Sequence, residues 1–399
     1  MNIEPVIVKH HLVGDDPPTA RLYYGKPVLD TLKELPAGSV HVACTSPPYW
    51  GLRDYGVPPQ DWPAFSYAPV PGLPEIEVPA QQVALGLEED PFHFIGHLVL
   101  VFRELRRVLR DDGTLWLNLG DSYAGHHGNS RVPDEEAPSN KPGYVENMRK
   151  TTVGVKGLKA KDLTLIPHRA ALALQADGWW VRNDVVWAKP SCMPESVTDR
   201  CTRNHEYVFM LAKSKRYFYD RHAILEPFAD DRMGRDGGKQ DRERNRGGRK
   251  DGFTKPNDID PSIHGGKNKR TVWSVSTKPY PGAHFAVWPP ELVTPMVKAG
   301  TSEHGVCGVC AAPWKRVAEG WEPTCKCENN DASGRAVVLD PFSGSATTGM
   351  VALNLGRDYI GIDLNPAYLE MAKARVVENP PPKESETVED GSVLDLFGV

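Results

Sequence analysis

No apolar stretch in this sequence is long enough to cross a bilayer, and the opening residues Met1-Asn2-Ile3-Glu4-Pro5 lack the basic segment and apolar run of a secretory signal. Both absences lead us to expect a chain that works in the cytoplasm, with no membrane partner. Excess positive charge is lacking too. At a formal net charge of -5 there is no uniformly basic coat, so any nucleic-acid surface must come from local clusters of Lys and Arg. Cysteine is sparse and unevenly spread. Cys44, Cys192 and Cys201 are scattered, whereas Cys307, Cys310, Cys325 and Cys327 share one short stretch, which fits a metal site and not a disulfide framework. No internal repeat is visible.

What is present is an alternation of strand and helix signals. Residues 40–44 are apolar or β-prone, and Thr45-Ser46-Pro47-Pro48 then stops the strand because each proline removes a ladder donor. Residues 92–110 place Ile95, Leu98, Val99, Phe102, Leu105 and Leu109 at helical spacing, which predicts an amphipathic helix ended by Asp111-Asp112-Gly113. Strands are expected over 114–119, 179–187 and 206–211, with a helix over 163–176. A second unit closes the chain, with strands 336–339 and 359–362 and helices 347–355 and 367–377. Such alternation implies an α/β fold with a parallel, doubly wound, Rossmann-like sheet.

The core is interrupted. We divide the chain into a first core half at 1–229, a polar insertion at 230–270, a return to the core at 271–299, a cysteine module at 300–333, a second core half at 334–379 and a tail at 380–399. The insertion is rich in Gly and in cations, among them Arg242, Arg244, Arg246, Arg249 and Lys250, and has almost no core-forming residues. The tail begins acidic and proline-rich, so disorder is expected there.

Two motifs carry chemistry. Asp340-Pro341-Phe342-Ser343-Gly344-Ser345-Ala346-Thr347-Thr348 lies between a strand and a helix, where small residues let a backbone approach a nucleoside-type ligand. Asp363 ends the next strand, where a carboxylate can accept from both ribose hydroxyls. Alone, a Gly-rich turn followed by an acid is also what an ordinary tight turn looks like. Thr45-Ser46-Pro47-Pro48-Tyr49-Trp50 is more particular, because two prolines fix their φ angles and preset the neighbouring carbonyls. Ser46 Oγ and the Pro47 carbonyl can accept from an exocyclic amine, and Tyr49 offers a flat face to a flipped base.

Together these motifs resemble the DNA amino-methyltransferases of the β arrangement, a circularly permuted order in which the catalytic loop precedes the cofactor loop. The similarity extends to Tyr24-Gly25, Gly51-Leu52-Arg53-Asp54-Tyr55-Gly56, Leu115-Trp116-Leu117-Asn118-Leu119-Gly120-Asp121-Ser122-Tyr123, Met193-Pro194-Glu195-Ser196-Val197-Thr198-Asp199-Arg200 and His284-Phe285-Ala286-Val287-Trp288-Pro289-Pro290. The resemblance implies a cofactor, S-adenosylmethionine. Its pocket would be formed by Asp340, Phe342, Ser343, Gly344, Ser345, Thr347 and Asp363, with His284, Phe285 and Pro289 on the methionine side. It implies catalysis by Ser46, Pro47, Pro48 and Tyr49, and contacts to double-stranded DNA by Trp50, Arg53 and the insertion cations. Two positions depart from the family. Ala346 stands where a second glycine is usual, and Lys26 stands where an acidic residue commonly helps hold the adenine.

An exocyclic amine is a poor nucleophile because its lone pair is delocalised into the ring, and acceptors placed off the ring plane would localise it. In the family, Ser at the first loop position accompanies cytosine-N4 chemistry and Asp accompanies adenine-N6 chemistry. Ser46 therefore points to N4 of a flipped cytosine. An adenine-N6 enzyme of the same fold, or an inactive zinc-ribbon DNA-binding protein, stay open as alternatives. The thiols Cys307, Cys310, Cys325 and Cys327 suit a tetrahedral, structural Zn²⁺, to which His304 could contribute in place of one thiol. Finally, Val393-Leu394-Asp395-Leu396-Phe397 returns to apolar residues and resembles a peptide that docks on the replication sliding clamp, without its usual leading glutamine.

Overall fold

The computed structural model describes residues 4–10, 16–52, 54–124, 157–192, 194–227, 266–277, 287–318 and 320–378. Arg53, His284, Phe285, the cations of 242–250 and the terminal 393–397 segment lie outside the described residues.

In chain order the elements are β1 (Val6–Lys9), β2 (Thr19–Tyr24), α1 (Val28–Glu34), β3 (Val40–Thr45), β4 (Gln60–Trp62), β5 (Phe65–Tyr67), β6 (Ile76–Val78), β7 (Gln81–Val83), α2 (Pro91–Val108), β8 (Leu109–Leu119), α3 (Ile166–Ala176), β9 (Trp180–Ala188), β10 (His205–Ala212), β11 (Val272–Ser274), α4 (Pro290–Gly300), β12 (Trp314–Val317), β13 (Gly320–Pro323), β14 (Val337–Asp340), α5 (Thr347–Asn354), β15 (Asp358–Asp363) and α6 (Leu369–Glu378). Nine strands form one sheet in the order β1-β2-β15-β14-β3-β8-β10-β9-β11.

The five central strands, β2, β15, β14, β3 and β8, run parallel. The expectation of a wholly parallel sheet is corrected at its flanks. β1 is antiparallel to β2, and β10 is antiparallel to both β8 and β9. Side-chain periodicity is the same in both directions, so only the connections reveal the reversal.

Helices cover both faces. Val40 and Ala43 of β3 point into one core with Leu29 and Leu32 of α1, Leu98 and Phe102 of α2 and Leu174 of α3. Val42 and Cys44 point into the other, with Val293 and Met296 of α4 and Val351 of α5. Each fully buried Leu, Val, Phe or Met side chain among these contributes roughly 1.5–3 kcal/mol relative to exposure, so Leu98 and Phe102 of α2 help anchor β3. Among the described residues no helix is long and apolar enough to cross a membrane.

Three boundaries differ from the sequence reading. Asp111-Asp112-Gly113 does not end a helix but lies inside β8, where Arg110 Nε pairs with Asp112 Oδ1 at 2.9 Å and the β3 register shifts to absorb the irregularity. α3 starts at Ile166 and not at 163, because Asp121 Oδ1 accepts from Ile166 N at 3.1 Å and from Thr164 Oγ1 at 2.7 Å, supplying its N-terminal partner. The last helix begins at Leu369, after a short 3₁₀ turn at Pro366–Tyr368.

Candidate active site

The two motif loops leave the C-terminal ends of neighbouring parallel strands, β3 and β14, where ligands of such sheets gather. Asp340 joins them. Thr45 Oγ1 donates to its Oδ1 at 2.7 Å, Thr348 Oγ1 to its Oδ2 at 2.8 Å, and Phe342 N to Oδ1 at 3.1 Å. Burial raises this carboxyl to a pKa of about 6 despite those three donors.

Past Thr45 the loop is clamped by the segment between β7 and α2. Gly51 N donates to Gly86 O at 2.9 Å, and Trp50 Nε1 donates to Glu88 O at 2.8 Å. Glu88 is itself held by His97 Nδ1 at 2.8 Å, with the His97 ring stacked 4.2 Å from Trp62. This corrects one expectation. Trp50 is only 6% exposed and packs in the core, so it supports the loop and presents no ring to DNA.

Ser46 and Tyr49 enter a polar network with Asn118, which lies in one of the segments of resemblance, and with Glu206 and Lys189, which do not. Tyr49 Oη donates to Glu206 Oε2 at 2.8 Å and lies 2.9 Å from Asn118 Oδ1. Ser46 Oγ lies 3.2 Å from Asn118 Oδ1 and 3.3 Å from Tyr49 Oη. Asn118 Nδ2 donates to Glu206 Oε2 at 3.2 Å and to Tyr207 O at 3.1 Å, which turns its Oδ1 toward the two hydroxyls. Lys189 Nζ pairs with Glu206 Oε1 and sits 4.2 Å from the centre of the Trp187 ring. Burial, then the Glu206 charge, pushes the Tyr49 phenol well above its ordinary pKa, so it stays protonated. Asn118 had a sequence signal, being a polar residue inside the apolar strand Leu115-Trp116-Leu117-Asn118-Leu119. Glu206 and Lys189 had none.

The cofactor loop is organised around Asp363, which ends β15. Its Oδ2 accepts from Gly344 N at 2.7 Å and its Oδ1 from Asn365 N at 2.8 Å, and burial raises it to about 6. Ser343 Oγ is 2.8 Å from both Tyr24 Oη and Tyr359 Oη, while Arg375 donates to Ser345 Oγ at 2.5 Å. Gly344 has φ +50°, and a Cβ built there would meet nothing within 4 Å because it would enter the cavity. Ala346 sits at φ 60° as it caps α5, a left-handed conformation that explains why glycine suits this position.

Both loops open on one cavity of about 740 Å³. Ser46, Pro47, Pro48, Tyr49, Asp340, Phe342, Ser343, Gly344, Ser345, Thr347 and Asp363 all line it, together with Asn118, Lys189 and Glu206. Val287 and Trp288 line it as well, whereas Pro289 is buried behind them as the N-cap of α4.

The cysteine module sits elsewhere. Cys307, Cys310, Cys325 and Cys327 bring their sulfur atoms within 4.8 Å of one another around the β12–β13 hairpin. Val309 N donates to Cys307 Sγ at 3.4 Å and Asn330 Nδ2 to Cys325 Sγ at 3.1 Å. His304 is not in the cluster: its ring stacks 5.4 Å from Trp321 and lies 5.0 Å from Trp314. The module meets the sheet at the starts of its strands, with Arg110 donating to Cys310 O at 2.9 Å and His41 Nε2 to Ala311 O at 2.8 Å. His41 Nδ1 accepts from Val337 N at 3.0 Å, which fixes that tautomer. Because Ser46 lies beyond the other end of β3, roughly 16 Å of strand separates module and catalytic loop.

The two loops at adjacent strand ends, Thr45–Trp50 earlier in the chain and Asp340–Thr348 later, stand in the order expected of a methyltransferase whose motifs are permuted. The chain belongs to the DNA methylase family of N6/N4 type, whose model matches residues 40–374. It is 39% identical over 87% of its length to the type II methyltransferase M.XycI of Xanthomonas campestris pv. cyanopsidis, covering 85% of that protein. It is 38% identical over 90% of its length to the type II methyltransferase M.Cfr9I of Citrobacter freundii, covering 87% of that protein. The PvuII DNA methyltransferase (cytosine-N4-specific) shares the fold, with a TM-score of 0.50 at 16% identity over 90% of this chain and 87% of that one. The chain is therefore a DNA methylase of the N6/N4 family, and the cofactor expected from its sequence is S-adenosylmethionine.

The residues present fit that cofactor. The space a Gly344 Cβ would fill admits a ligand close to the backbone, and half-buried Asp363 on the cavity wall supplies an acceptor pair for a diol.

Proposed function

We propose that the enzyme methylates N4 of a cytosine flipped into the cavity of about 740 Å³. The observation that carries this reading is Ser46, a neutral hydroxyl at the first loop position, beside Pro47. Ser46 Oγ directs its hydrogen toward Asn118 Oδ1 or Tyr49 Oη, so its lone pairs remain available to an incoming amine. With the Pro47 carbonyl as second acceptor, the amine is drawn out of conjugation and its nitrogen becomes nucleophilic. Tyr49, fixed through its hydroxyl, supports the base with its ring. S-adenosylmethionine, when bound, supplies an electrophilic methyl group. Asp363 would hold its ribose, Phe342 and Tyr368 its apolar ring surface, and Gly344 would leave the room it needs.

Recognition of the DNA sequence is assigned to the 230–270 insertion, whose Arg and Lys residues suit phosphate contact and base reading. The four thiols are assigned to a structural Zn²⁺. Four sulfurs on a tetrahedral ion at 2.3 Å lie about 3.8 Å apart, within the spread of the cluster. With four protein ligands such an ion has no open position, and its place at the starts of the strands keeps it from the chemistry. A DNA substrate fits the cytoplasmic location expected from the sequence. Nucleoside mass spectrometry of DNA methylated in vitro tests the base assignment.

A further inference from the structure

The amine proton must leave once the base is methylated, and the cavity contains a route for it. We propose that Glu206 is the terminal proton acceptor of the reaction, reached from Ser46 through the Tyr49 hydroxyl. This rests on the proposed amine methylation and extends it.

The spacing supports a relay. Ser46 Oγ is 3.3 Å from Tyr49 Oη, and Tyr49 Oη is 2.8 Å from Glu206 Oε2. The methylated nitrogen gives its proton to Ser46 Oγ as the serine proton passes to Tyr49 Oη and the tyrosine proton passes to Glu206 Oε2. The N–H bond breaks, three O–H bonds form and two O–H bonds break. The base ends neutral, both hydroxyls are regenerated and Glu206 carries the proton until it is released to water. No phenolate is required at any stage, in keeping with a phenol held well above its ordinary range.

The surroundings orient this chain and do not merely fill space. Asn118 cannot transmit a proton by its carbonyl, but its amide contacts both hydroxyls and Glu206. Lys189 pairs with the other Glu206 oxygen, so Oε2 receives Tyr49 and the Asn118 amide. Asn118 and Glu206 come from β8 and the start of β10, and Lys189 directly follows β9, so the register of three adjacent strands brings them together.

The test uses the full-length enzyme with DNA from an unmethylated host, under single turnover and at saturating cofactor, so that cofactor binding does not shape the pH profile. Glu206→Gln and Tyr49→Phe are each expected to slow methylation by at least about tenfold at neutral pH and to flatten the acid limb of the rate profile. The double variant should be no slower than the slower single one. Cofactor affinity and melting temperature should stay close to those of the unaltered enzyme, separating this role from a structural one. A Glu206→Gln enzyme with an unaltered rate and profile, or losses that multiply in the double variant, would overturn the relay. If Glu206→Gln does not fold, Tyr49→Phe decides alone: a flattened acid limb supports the relay and an unchanged one rejects it. Failure of the underlying function is separately visible, since the unaltered enzyme would then yield no methylated amino group.

Discussion

The Tyr49 ring lies directly against Gly120: a Cβ built on that glycine would stand 2.4 Å from Cε2 of the ring. No rotation of Tyr49 is free to relieve such a contact, because its hydroxyl is tied to Glu206 at 2.8 Å and to Asn118 at 2.9 Å. Gly120→Ala is therefore expected to displace the ring while leaving the fold intact. A shift of this size near reacting atoms costs on the order of 100-fold in kcat/KM. Steady-state kinetics beside a melting curve checks it, with the loss falling on activity.

Asp363 is expected to make cofactor binding depend on pH. Its folded-state pKa is raised by burial to about 6, so in the unliganded enzyme it is largely protonated below that value. A ligand that donates hydroxyl hydrogens prefers the ionised form. Affinity should therefore rise as pH increases through about 6, level off above 7 and fall by up to about tenfold per unit on the acid side. Calorimetric titration with S-adenosylmethionine between pH 5 and 8 measures this, and Asp363→Asn should weaken binding by tenfold or more while removing the dependence.

Zinc analysis should return about one ion per chain. Cys307→Ser should abolish it and lower the melting temperature by about 5 °C or more, because the cluster secures the segment that Arg110 and His41 fasten to the sheet. Cofactor affinity should change little, since the module meets the strand starts and the cavity lies at their ends. Elemental analysis and differential scanning fluorimetry are sufficient.

Much of this fold was legible in the sequence because its central strands and helices carry unmixed periodicities. The apolar face of α2 and the buried runs at 40–44 and 114–119 announce themselves. The N-terminal strands β1 and β2 and the paired ribbons between 60 and 83 gave no such signal. The ribbon strands are three residues long, too short for alternation to develop. Asp111-Asp112-Gly113 looks like a stop yet continues a strand, since its polar groups are satisfied locally and by Phe218 N at 2.9 Å.

The site was legible where chemistry and backbone constraint coincide, as in the two loops. It was not legible at Glu206 and Lys189, whose positions follow from antiparallel pairing of β10 with β9, a long-range contact that no local pattern encodes. Trp50 shows the converse. Its place beside Tyr49 suggested a DNA contact, but an indole with a buried acceptor at Glu88 O is better used to hold the loop.

The Ser46 hydroxyl should matter chiefly to rate. Ser46→Ala retains the prolines and the Tyr49 ring but removes one of two acceptors for the amine. A loss of roughly 100-fold in the single-turnover rate is expected, with DNA affinity nearly unchanged.

The central claim is the base that is modified. DNA from an unmethylated host, incubated with the purified enzyme and S-adenosylmethionine and then digested to nucleosides, should yield N4-methyldeoxycytidine by mass spectrometry, and the Ser46→Ala enzyme should yield far less. N6-methyldeoxyadenosine without N4-methyldeoxycytidine would contradict the account.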